Sequence, residues 1–135
     1  MANGTIAFDT LTTSDSVNTG TEKSIDTSYI FNGVAKAWIQ LDGSGTISTR
    51  DSFNMGSTTD NGTGNYSFTF SNNMNAADYA ISNGGNYLLT SFVSNIASPA
   101  NTHATTGFDA EGYNSVYSAA LDYAYLTADI KGDLA

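Results

Sequence analysis

The chain has no cysteine, one proline, one histidine, one tryptophan and one arginine, and each scarcity narrows what it can do. Without cysteine there is no disulfide framework, no zinc–thiolate centre and no thiol nucleophile. Only four bases stand against thirteen acids, a formal net charge of -9. Nucleic-acid binding needs basic charge to replace counterions around phosphates, so this balance disfavours it. Docking on anionic membranes is disfavoured for the same reason. No apolar run approaches the roughly 18–20 residues of a membrane helix. The N-terminus, MANGTIAFDT, lacks a basic segment and an apolar core, so no secretory signal is expected. Charged residues are 13% of the chain, about half the usual share for a soluble domain.

What fills the chain instead is serine, threonine, asparagine and glycine, at 61 of 135 positions. These residues favour turns and exposed strand faces and oppose long helices. Such a composition could describe a disordered chain, but eight Tyr and seven Phe supply the core material that disorder lacks. At 135 residues the chain is expected to form one folded domain.

The stretch Val34–Phe70 concentrates the rare residues, with Trp38 and Arg50 between strand-like runs and glycine-rich turns. From Val34 to Leu41, Ala35, Ala37, Ile39 and Leu41 share one face, and Lys36, Trp38 and Gln40 the other. Trp38 then either covers a sheet edge or subunit contact, or packs in a second buried layer. Asp42-Gly43-Ser44-Gly45 predicts a hairpin turn, followed by a strand with Ile47 inward. Arg50 beside Asp51 is either a structural ion pair or a surface pair of little worth. Asp60-Asn61-Gly62-Thr63-Gly64-Asn65 is the strongest turn signal, and Tyr66, Phe68 and Phe70 follow at period two.

Before this stretch, Ile6 and Phe8 mark a short strand, and a long polar run then leads to Tyr29-Ile30-Phe31, expected to enter the core. The polar run is either an arm ordered by a partner or an ordinary leader. Asn32-Gly33 is expected as a tight hairpin turn. After Phe70, strands are expected at Tyr79–Ser82, Tyr87–Val93, Phe108–Tyr113 and Leu121–Lys131. Turns or loops fill Asn83–Asn86, Asn95–Thr106 and Asn114–Ala120. In the last strand Leu126, Ala128 and Ile130 face one way, and Tyr123, Tyr125 and Thr127 the other. The sum is an all-β, antiparallel, jelly-roll-like β-sandwich of about eight short strands. It occupies residues 31–135, with residues 1–30 as an N-terminal extended arm.

No catalytic constellation emerges. His103 is the sole histidine and has no oriented partner in the sequence, and no Gly-x-Ser-x-Gly elbow is present. Asp109 and Glu111 share a strand face, expected to be solvated. The Asp42 and Asp60 turns offer oxygen ligands but miss EF-hand spacing, so neither a metal nor any cofactor is expected. Tyr and Trp among Asn and Ser are also the materials of a sugar-binding surface.

The segments GVAKAWIQLDGSGT (Gly33–Thr46), RDSFNMGSTTDNGTGNYSFTF (Arg50–Phe70), the run before Tyr79-Ala80-Ile81, and Leu121–Gly132 resemble modules in structural proteins of tailed bacteriophages, especially phages of aquatic bacteria, often at tail-fibre ends. The resemblance implies a non-enzymatic protein on the virion exterior, made in the host bacterial cytoplasm. A capsid decoration (cement) protein and a tail-fibre tip are the two roles it allows. Such modules usually sit behind other domains, whereas this one follows a short arm, which favours decoration, while the resemblance itself favours the fibre. Expected partners are further copies in a homotrimer, the major capsid protein or tail proteins, and a host cell-surface glycan, with no nucleic acid and no membrane insertion. Candidate interface residues are Ile6, Phe8, Trp38, Arg50, Asp60, Asn61 and Asn65.

Overall fold

The computed structural model describes residues 10–12, 24–86, 94–97, 103–114 and 119–135. Ile6, Phe8 and the strand expected at Tyr87–Val93 lie outside these. The chain divides into two compact units, Met1–Val34 and Ala35–Ala135.

In the first unit, strands β1 (Thr10–Thr12) and β2 (Ser24–Asp26) pair antiparallel, with Leu11 opposite Ile25. Asp26 then caps a short helix, α1 (Thr27–Gly33), its Oδ1 accepting the Ser28 N–H at 2.8 Å. Asn32 Nδ2 closes the turn by donating to the Ser28 carbonyl at 2.8 Å. This corrects two expectations. Tyr29 and Phe31 are 72% and 68% exposed rather than in the core, and Asn32-Gly33 forms the last turn of a helix rather than a hairpin. The Asp26 cap satisfies an orphan N–H and starts the helix, and at helical pitch three consecutive apolar residues cannot share one buried face. The expected boundary after residue 30 falls inside α1; the compact unit ends at Val34.

The second unit is an antiparallel sandwich. One sheet runs β4 (Ser48–Phe53), β3 (Ala37–Asp42), β11 (Tyr125–Lys131), β7 (Ala80–Asn86). The other runs β10 (Ala119–Ala120), β9 (Gly107–Asn114), β6 (Asn65–Phe70), β5 (Met55–Gly62), with β8 (Ser94–Ala97) also on β9. The inner faces differ in chemistry. The first sheet contributes the aliphatic side chains Ala37, Ile39, Leu41, Leu126, Ala128 and Ile130, and the second Tyr66, Phe68, Phe70, Phe108 and Ala110. The rings form a continuous ladder: Phe68 lies 4.9 Å from Phe108, Phe108 5.8 Å from Phe70, and Phe70 5.5 Å edge-on from Tyr79. Each fully buried ring removes enough apolar area from water to contribute about 1.5–3 kcal/mol.

The period-two readings of β3, β6 and β11 match this core, and β11 is a strand despite its alanines. Tyr123 departs from them. It precedes β11 and is fully buried rather than facing outward with Tyr125.

The chain changes sheets at one residue. β4 belongs to the first sheet and β5 to the second, and only Asn54 lies between them, with φ 56°. Asparagine tolerates that left-handed conformation better than most residues. No alternation marks β5, an eight-residue strand of MGSTTDNG. It forms because β6 offers a ladder, and bulges at Gly56 and Asn61 absorb the mismatch in register. The hairpin turn shrinks to Thr63-Gly64, so Asp60 and Asn61 lie in β5 and Asn65 opens β6.

Three other turn or loop readings are corrected. Asn83-Gly84-Gly85-Asn86 is the second half of β7, paired with Tyr125–Ala128, because glycine is tolerated where a neighbouring strand supplies the hydrogen bonds. Asn95–Ala97, expected as loop, pairs with β9 as part of β8. Ala119-Ala120, also expected as loop, forms β10.

Candidate functional site

β3 and β11 lie side by side at the centre of the first sheet, so alternation sends their inward residues to the core and the others to the outer face. The register then builds two rows on that face. Phe53, Trp38, Asp129 and Ser82 line up across β4, β3, β11 and β7, and Asp51, Gln40, Thr127 and Gly84 form the next row. Between these rows runs an open groove of about 520 Å³, lined by Trp38, Ile39, Gln40, Ser82, Thr127, Ala128 and Asp129. Ile39 and Ala128 point inward, so they form its floor with their backbone. Beside the groove, a Cβ at Gly84 would meet Thr127 Oγ1 at 3.2 Å. Thr127 Oγ1 in turn donates to the Gly84 carbonyl at 3.3 Å.

Trp38 is half-buried on this outer face, not in a second buried layer. It stands opposite Phe53, which is more than half exposed, and opposite Asp129 on the other side. Asp129 Oδ2 accepts from the Lys131 ammonium, while its Oδ1 is buried with no hydrogen-bond partner.

Arg50 reaches the same face by a different device. Gln40 pairs with Asp51 and Leu41 with Thr49, so Arg50 is the extra residue of a β-bulge. A bulge re-aims a side chain. Here it swings the guanidinium onto the Asp42 carboxylate, onto the Ala124 carbonyl at 3.2 Å, and over the Tyr125 ring at 4.4 Å. The ion pair is therefore with Asp42, eight residues back, and not with the adjacent Asp51, whose Oδ1 accepts the Ser52 N–H. Hydrogen bonds from the Ser44 hydroxyl and N–H, and then the Arg50 charge, hold the Asp42 carboxyl below its ordinary value.

Asp60, Asn61 and Asn65 are on the other sheet, so the structure does not gather the expected interface residues into one site. They also have local work. Asp60 Oδ1 accepts the Gly62 N–H at 2.9 Å, and the bulged Asn61 donates to Ser67 Oγ at 2.7 Å. Asn65 pairs with Gly62 on one side and Glu111 on the other. Satisfied in this way, the Asp60 and Asp42 turns hold their own backbone rather than presenting a ligand cage. Among the described residues no group of three acidic or histidine side chains could hold a metal ion.

His103 is exposed and stacks on Tyr79, with ring centroids 4.9 Å apart. Asp109 and Glu111 are half-buried on the β9 face opposite Phe108 and Ala110. No described helix is long and apolar enough to cross a membrane.

Gln40, Ser82, Thr127 and Asp129 were not singled out in the sequence. The alternation of β11 places Thr127 and Asp129 on one face, but only strand pairing brings Ser82 beside them. Comparison of the chain with protein-family models, curated proteins and solved structures gives no match.

Proposed function

We propose that the chain is a non-enzymatic structural protein of the exterior of a tailed-phage virion, acting as a capsid decoration protein whose N-terminal unit is the clasp. The observation that supports this reading is the state of that unit. Its strands are exposed throughout and its helix has no buried residue, yet Leu11 and Ile25 form an apolar cross-strand pair and Tyr29 is largely exposed. A two-stranded ribbon with its apolar residues in water is marginal alone and gains stability by covering them. Among the described residues, every buried hydrophobic residue lies between Ala37 and Ile130, in the second unit.

The test uses heads of the encoding phage assembled without this protein. Full-length protein is expected to co-sediment with them, and the triple variant Leu11→Asp, Ile25→Asp, Tyr29→Ser to stay in the supernatant while melting at an unchanged temperature. Equal binding by the variant would overturn the clasp.

A second reading, a tail-fibre tip, draws on the aromatic groove of the outer sheet face. Copy number separates the two: hundreds of copies per particle support decoration, a few dozen or fewer the fibre.

A further inference from the structure

We infer that the groove between Trp38 and Ser82 is a binding subsite for a neutral pyranose sugar. The inference is independent of the arm and of whether the module sits on head or tail.

Three features of the groove carry it. The first is an aromatic wall. Trp38 presents a half-buried indole beside Phe53, and the apolar C–H face of a pyranose packs against the electron-rich face of such a ring. The second is the polar set facing that wall. Gln40 offers an amide with donors and an acceptor, Ser82 and Thr127 offer hydroxyls, and all three line the same groove within neighbouring rows. Sugar hydroxyls are both donors and acceptors, so they are matched by this mixture and by neither an apolar nor a singly charged surface. The third is Asp129, which lines the groove and holds Oδ2 on the Lys131 ammonium. Its side chain is 39% exposed, so its accessible oxygen can accept from a sugar hydroxyl in the groove.

Size and charge narrow the ligand further. Two strand spacings by two residues give a footprint of about 10 by 7 Å, the scale of a monosaccharide to a disaccharide. The volume lies within the range of ~300–1,000 Å³ usual for small-molecule sites. Asp129 and Asp51 flank the groove in a chain of net charge -9, so uronic, sialic and phosphorylated sugars are repelled. Gly84 is the cross-strand neighbour of Thr127, which lines the groove, so a larger side chain there would press on Thr127.

Trp38 is the sole tryptophan, so intrinsic fluorescence of the full chain reports on this groove alone. The experiment titrates the protein with glucose, galactose, mannose, N-acetylglucosamine and their β-linked disaccharides, and with oligogalacturonate as the anionic arm. A saturable change in Trp38 emission is expected with at least one neutral sugar and not with oligogalacturonate. The variant Gln40→Ala, which keeps the reporter, should bind that sugar at least about tenfold more weakly, and Gly84→Val should abolish binding. Both variants are checked for an unchanged melting temperature, and saturation-transfer NMR on the Gln40→Ala protein gives the same comparison without fluorescence.

The proposal is overturned if no neutral sugar perturbs Trp38 up to its solubility limit, or if the anionic sugar binds more tightly. It is also overturned if binding survives Gln40→Ala undiminished. Emission that changes with protein concentration alone, with a dimer in sedimentation, would assign the groove to a second copy of the chain instead.

Discussion

Asn54 and Asn72 hold each other: Asn54 Oδ1 accepts the Asn72 main-chain N–H at 2.7 Å, and Asn54 Nδ2 returns a bond to the Asn72 carbonyl at 3.1 Å. The same Nδ2 donates to the Lys36 carbonyl at 3.0 Å. One side chain at the point where the chain leaves one sheet for the other thus ties down the entry to β3 and the exit from β6. Asn54→Ala loses these bonds and also strains a left-handed backbone, and should cost about 2–4 kcal/mol. Asn54→Gly relieves the backbone only and should cost less than the alanine variant. Urea denaturation of the pair checks this; equal losses would mean that the backbone conformation is immaterial.

Two glycines of nearly equal φ offer a controlled comparison. Gly45 at 65° has open space around a would-be Cβ, whereas Gly64 at 68° would put one within 2.6 Å of the Gly112 carbonyl oxygen. Gly45→Ala should cost only the conformational strain, about 1–2 kcal/mol. Gly64→Ala should cost at least about 1 kcal/mol more, since backbone cannot step aside as a side chain can. Thermal melts that rank the two variants the other way would contradict the packing around the β5–β6 turn.

Asp122 joins three segments at that end of the sandwich. Its Oδ1 accepts the Gly64 N–H at 2.6 Å and the Tyr66 hydroxyl at 2.9 Å. Asp122→Ala leaves both donors unmatched in a part-buried setting and should destabilise by about 2–4 kcal/mol. Asp122→Asn, which keeps an acceptor oxygen, should lose less than half of that. A denaturation midpoint for the alanine variant equal to that of the parent would remove Asp122 from the fold's supports.

The tyrosines predict how the protein responds to alkali. Burial raises Tyr66, further raised by the hydrogen bond to Asp122; burial pushes Tyr79 up to about 12; and burial raises Tyr123. A phenol raised above its unfolded value of 10.0 stays protonated in the fold while the unfolded chain ionises. The stabilisation is therefore complete below pH 10 and is lost as pH climbs through the folded values. Absorbance of tyrosinate should show these three rings ionising together with unfolding, above pH 10. Smooth titration of Tyr66, Tyr79 and Tyr123 near pH 10, with circular dichroism unchanged, would refute this.

Arg50 should matter more at neutral pH than in acid. The Asp42 carboxyl is held below 3.8, so the contribution of its partners is present above that value and lost as pH falls through the depressed one. The stacking on Tyr125 does not titrate there and contributes about 0.5–1 kcal/mol. Arg50→Ala should lower the melting temperature at pH 7, and the gap to the parent should narrow, but not close, below pH 3.8. Added salt should narrow it likewise.

The parts of the fold legible in the sequence were those where one face is apolar. In β3, β6 and β11 the inward residues alternate with polar ones, and the structure keeps each of those faces. Polar strands carry no such contrast. In β5 and in the glycine half of β7 the neighbour decides the conformation, so the local reading of turn residues was overruled by pairing. The helix α1 was missed because its cap, Asp26, lies in a run of residues that equally favour turns. For the candidate groove, Trp38 was visible as an aromatic residue on a mixed face. Ser82, Thr127 and Asp129 come from strands more than forty residues away in sequence, and no local pattern announces which strands will be neighbours. Arg50 shows the same limit: one bulge exchanges the adjacent Asp51 for Asp42.

Among the described residues β5 ends its sheet, and it does so with two bulges and a sequence almost free of large apolar side chains. A flat apolar edge invites a neighbour's strand to extend the sheet. This edge breaks the spacing that such a neighbour would need. A second copy is therefore not expected to extend the β10-β9-β6-β5 sheet through this edge.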